Sequence, residues 1–93
     1  MRGPPTEEAL LALYWAERLR PYSWSNGPHH TYALHEHGYE KVLRAVRGSI
    51  RFDLPERSES VELQAGDTLV LPAGVVHGAV VGPQGVTCME AHR

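Results

Sequence analysis

The chain has 93 residues, a formal net charge of -2 and a single cysteine, Cys88. That length fits one domain, the charge offers no long-range attraction to phosphate backbones, and no Lys/Arg run is dense enough for a nucleic-acid patch. One cysteine excludes an intrachain disulfide and a cysteine-based zinc cluster, and it suits a reducing compartment, with the thiol read as core packing.

Pro4 and Pro5 lead into Thr6, Glu7 and Glu8, an N-cap followed by an acidic first turn. Leu10, Leu13 and Tyr14, with Leu11, Trp15 and Leu19, then recur at helical spacing until Pro21, which predicts one amphipathic helix with a wide apolar stripe packed on a sheet. Trp15 and Trp24 read as core or interface residues. The apolar stretch from Ala9 to Ala16 has acidic residues before it where a signal peptide has basic ones, and it is too short to span a membrane. A cytoplasmic protein without membrane association is expected.

Ser23 to His30 reads as a loop, after which the apolar period changes to two. Strands are expected over residues 31–37 and 41–47. Gly48 should then turn the chain into a strand through Ile50, Phe52 and Leu54, and Pro55 to Ser60 should form the next turn. Val61 and Leu63, Thr68 to Leu71, Val75 to Val81 and Val86 to Ala91 follow as short strands, with turns at 65–67, 72–74 and 82–85. The organisation is a helical segment over residues 1–22 and an all-β sandwich or barrel over 23–93. So small a core, with sheet edges to cover, favours a homodimer.

His35 and His37 are two apart on a predicted strand, so both imidazoles leave one face and can share an ion, with His77 as a third ligand. The surrounding turns carry a family resemblance. From Gly66, five residues lead to Pro72, one more to Gly74 and two more to His77, which resembles the second cupin motif except that Val81 stands at its terminal Asn. His35-x-His37 with Gly48 resembles the first motif, although His29 stands where that motif begins with Gly.

The resemblance, over residues 29 to 81, implies a double-sheet jelly-roll barrel preceded by one helix. It also implies that His35, His37 and His77 bind a divalent metal such as zinc, iron, manganese, nickel or copper. The motif's spacing back from Gly48 lands on Lys41, where the family usually has a Glu ligand. Strand parity also puts Lys41, with Leu43 and Ala45, on the histidine face and Glu40 opposite. An ammonium about 5 Å from a divalent ion would be repelled by roughly 6 to 7 kcal/mol at an effective dielectric near 20. Three arrangements answer this: a neutral Lys41 acting as ligand or base, a Lys41 that swings away to pair with a carboxylate, or a metal-free site that binds an anion.

Tyr39 shares the histidine parity, so Tyr39 and Lys41 are the catalytic candidates. Tyr32, like Tyr39, has an apolar body and a hydroxyl that can hold a substrate over the metal, with packing as its more ordinary role; His29 and His30 are read as loop residues near the mouth, and His92 is assigned no role. The expected function is metal binding through three histidines, either in an enzyme acting on a small anionic substrate or in a binding module without turnover.

Overall fold

The computed structural model describes residues 3–93. It contains one helix, α1 (Glu7–Ala16), and six strands: β1 (Tyr22–Asn26), β2 (Thr31–His35), β3 (Lys41–Leu54), β4 (Glu59–Gln64), β5 (Thr68–Leu71) and β6 (His77–His92), with a 3-10 turn at Pro55–Arg57. No helix among the described residues is long and apolar enough to cross a membrane.

The helix begins as its sequence predicts, with the Thr6 hydroxyl accepting from the Ala9 N–H. It ends well before Pro21. Arg18 takes a left-handed conformation (φ 60°), the Arg18 N–H donates to the Trp15 carbonyl, and the Leu19 N–H donates to the Tyr14 carbonyl. This Schellman closure satisfies the last carbonyls locally and needs no proline. The buried stripe is correspondingly narrow. Leu10 and Tyr14 are buried, whereas Trp15 is 64% exposed, so of the two places expected for it, core or interface, it does not take the core.

The expected loop over 23–30 is also corrected in its first half. Tyr22 to Asn26 forms β1 because it finds a partner distant in sequence, pairing antiparallel with Val86–Glu90 of β6. Local composition cannot register such pairing.

Two pairs of expected strands are fused into the long strands β3 and β6, and each long strand bends rather than turning back. Pairing along them shifts between Ala45 and Arg47 and again between Gly48 and Ile50. At the second shift the partner jumps from Val86 to Val81, so the expected 82–85 turn survives as an outpouching inside β6. Gly48 and Gly85 both have positive φ, and a Cβ on Gly48 would lie 2.0 Å from the Gly85 carbonyl oxygen. The corner needs glycine for conformation and for room.

The bend divides the molecule into two antiparallel four-stranded layers. One holds β1, the C-terminal half of β6, the N-terminal half of β3, and β5; the other holds β2, the N-terminal half of β6, the C-terminal half of β3, and β4. Between them lies the core of Leu43, Ala45, Ile50, Phe52, Leu54, Leu63, Leu71, Ala79, Val81, Val86 and Cys88. Inward residues are odd-numbered before the corner of β3 and even-numbered after it, as a one-residue bulge requires. This is the expected jelly roll with one N-terminal helix.

The helix covers the outer face of the first layer, where Leu10 and Tyr14 pack on Val42, Val46, Met89 and Ala91. The Tyr14 hydroxyl lies 2.9 Å from the Val42 carbonyl oxygen and 3.0 Å from that of Met89, and burial pushes the phenol up to about 12. Arg44 lies over the Tyr14 ring and pairs with Glu17 at 2.5 Å, joining the sheet to the end of the helix.

The corner is directly testable. Gly48→Ala should lower the melting temperature by roughly 8 °C or more, on the order of 2 kcal/mol. Gly74→Ala, which has positive φ but nothing near its Cβ, should cost clearly less. Equal losses would remove the steric argument.

Candidate metal centre and adjoining cavity

His35 and His77 are Cα partners across β2 and β6, so their imidazoles leave the same face side by side, with ring centroids 4.4 Å apart. His37 lies beyond the end of β2, not on the strand the sequence predicts. Its place is held by its backbone, whose carbonyl accepts from the Gly74 N–H in the turn preceding His77. The Gly74 turn thus ties both ends of the cluster together. One ring nitrogen from each of His35, His37 and His77 lies within 4.8 Å of the others.

The tautomers follow from the backbone. His35 Nδ1 is 2.8 Å from the Ala33 carbonyl oxygen and His77 Nδ1 is 2.9 Å from that of Val75. A carbonyl only accepts, so Nδ1 carries a proton, and in the neutral ring Nε2 keeps its lone pair. His37 Nε2 is buried with no hydrogen-bond partner, and a buried polar atom in that state costs free energy unless something meets it. Burial, and then Lys41 and the neighbouring imidazoles, holds His37 below the ordinary histidine range. Burial likewise lowers His77, helped by His35 and Lys41 and opposed by the Val75 carbonyl. Both are neutral near pH 7, the form that binds a cation. The donor set fits a divalent metal, and the residues that would hold it are those the motif spacing indicates.

A cavity of about 270 Å³ opens beside the cluster, with His35, His77, Lys41, Tyr22, Trp24, Tyr32, Leu43, Phe52, Ala79 and Glu90 in its wall. Lys41 faces inward, with Nζ 3.3 Å from Glu90 Oε2. Glu40 points away and pairs with Arg93 at 2.5 Å. Lys41 is paired with a carboxylate, as one of the three expected arrangements has it, but the pair stands in the cavity wall and Lys41 does not swing away from it. Tyr39 is 38% exposed and does not line the cavity. Its ring stacks between His37 (5.0 Å) and His92 (4.1 Å).

Sequence reasoning missed Glu90, which is 3% exposed. Its Oε2 accepts from the Tyr22 hydroxyl and His92 Nε2, each at 2.6 Å, and its Oε1 accepts from Trp24 Nε1 at 3.1 Å. Burial alone would raise this carboxyl, but the bonds from Tyr22 and His92 and the Lys41 charge outweigh it and hold Glu90 below the ordinary carboxylate range. The available signal was parity, because Val86, Cys88 and Glu90 share the inward face and a carboxylate there must find donors. His92 therefore has a structural partner, and Trp24 and Tyr32 line the cavity rather than only packing. The Tyr32 hydroxyl donates to Asn26 Oδ1, and the His30 ring meets the Tyr32 ring edge-on at 4.8 Å. His29 lies in the loop with φ 64°.

The depressed Glu90 carboxyl implies stability that is fully present above the unfolded carboxylate pKa and is lost as pH falls through the lower folded value. The melting-temperature gap between wild type and Glu90→Gln should therefore be steady from pH 7 to about 5 and narrow only below about pH 4.3. A gap that does not change with pH would contradict the ionised assignment.

No protein-family model matches the chain, and no curated protein matches it. Solved structures do. A cupin-2 domain containing protein from Shewanella frigidimarina superposes with a TM-score of 0.66 at 22% identity, covering 78% of this chain and 68% of that one. The structure of the DMSP lyases RdDddP and RnDddQII gives 0.73 at 27% identity over 81% and 38%. The polyketide cyclase RemF from Streptomyces resistomycificus gives 0.69 at 25% identity over 80% and 54%. The chain thus spans between 38% and 68% of the length of these three proteins. The similarity is one of fold, and by fold the chain is a cupin.

Proposed function

We propose that His35, His37 and His77 bind one divalent metal ion and that the adjoining cavity admits a small anionic molecule. The observation that carries this reading is the set of three imidazoles whose ring nitrogens lie within 4.8 Å of one another. Two have Nε2 freed by backbone bonds at Nδ1, and the third has a buried Nε2 without a partner. Such a metal would supply Lewis acidity. Among the described residues no carboxylate joins the three histidines, and Lys41 and Glu90 neutralise each other. The charge of the ion would therefore be left for the ligand to balance, which favours an anion. Lys41 can donate its remaining N–H groups to that anion, while Leu43, Phe52 and Ala79 provide an apolar wall.

Structural neighbours named as lyases and a cyclase support an enzyme reading. Within it, Lys41 serves as an ammonium donor rather than a base, and Tyr39, beside His37 at the exposed edge, is the acid-base candidate. A binding site without turnover is the second reading. The Lys41–Glu90 pair favours it, because that pair occupies the cavity's one amine in charge balance.

Elemental analysis of the purified full chain, before and after incubation with zinc or nickel, tests the proposal. Near-stoichiometric metal is expected. His37→Ala should abolish it while the melting temperature of the metal-free protein shifts by only a few degrees, because His37 lies outside the strands. Absence of metal, together with no uptake from either salt, would reject the reading.

A further inference from the structure

Two polar clusters share the cavity, and of the second the proposed function uses only the charge balance of Lys41 with Glu90 and the donors left on Lys41. This second cluster is centred on Glu90, whose two oxygens are engaged by Tyr22, Trp24, His92 and Lys41. These partners come from three different strands, so the carboxylate is fixed in place from several directions. Lys41 differs: its side chain is 14% exposed, and among the described residues Glu90 is the one acidic group within ion-pairing distance. The ammonium therefore stands where Glu90 holds it. The three-histidine centre needs this arrangement, because a bare ammonium in the same cavity would repel a divalent cation through a low-dielectric space, and Glu90 supplies the opposite charge 3.3 Å away.

We propose that Glu90 is a positioning residue that fixes the Lys41 ammonium in the cavity wall and cancels its charge, so that the ammonium and a divalent cation on the three histidines can occupy one cavity. This rests on the three-histidine reading. It predicts an asymmetry that a purely packing role does not: removing the negative partner harms the histidine centre, and removing the positive one helps it.

The test uses the full chain stripped by chelation, with zinc alone as the probe, titrated against a competing chelator. Glu90→Gln preserves shape and removes charge, and it should weaken zinc binding by about tenfold or more. Lys41→Met should tighten binding, and the double variant should return to within about threefold of wild type. Zinc binding by Glu90→Gln equal to that of wild type, or a double variant no better than Glu90→Gln, overturns the proposal. If Glu90→Gln does not fold, Lys41→Met decides: tighter binding supports the proposal, and unchanged or weaker binding overturns it. If wild type takes up no zinc, the three-histidine reading fails. The positioning role is then judged from melting of the metal-free proteins, where recovery of Glu90→Gln by Lys41→Met upholds it and additive losses overturn it.

Discussion

The antiparallel pairing of β3 with β6 is the constraint from which the rest of the molecule is built. Every other strand pairs with one of these two, and each long strand supplies half of both layers. Two flat strands of this length would make one open sheet with an unprotected face. The approach of Gly48 to Gly85 prevents that by bending both strands at the same level, so that one continuous ladder closes over its own apolar side chains. The interior parity changes at this corner, and the core would be split between inside and outside if the bulge were absent.

The corner also divides labour along β6. Its N-terminal half carries His77 opposite His35, and its C-terminal half carries Glu90 within reach of Lys41 on β3. The cavity lies where these two halves face each other. An imidazole cluster and an ion pair can therefore share one space although they stand on different layers.

Much of this was legible in the sequence, for reasons that differ by element. The helix start, the period-two segments and the three histidines depend on local spacing, which a sequence displays directly. The inward placement of Lys41 was also legible. The supporting premise of one strand running from 35 to 41 was not, since β2 stops at His35 and a bend separates it from β3. Strand β1 and the fused strands were hidden because they depend on partners far away in sequence. Gly48 and the 82–85 segment look like turns in isolation and become a shared bulge only in each other's presence. Glu90 was overlooked because its neighbours Met89 and Ala91 made the segment read as an ordinary apolar strand.

Those same neighbours create a problem of register that the buried charges answer. Over residues 88 to 91, β6 is apolar on both faces apart from Glu90, because Cys88 faces the core while Met89 and Ala91 face the helix. Alternation of apolar and polar residues, which ordinarily fixes a strand's register, is nearly absent there. A slip of one residue against β3 would exchange one apolar side chain for another at little cost, except that it would turn Glu90 toward Leu10 and Tyr14 and leave Lys41 facing the cavity alone. Separating a buried pair in that way costs about 3 to 5 kcal/mol, far more than the net stability such a pair contributes when intact. The carboxylate that pairs with Lys41 in the cavity wall is thus also the residue that makes the slipped pairing of this strand unfavourable, so one side chain serves the fold and the cavity wall for the same electrostatic reason.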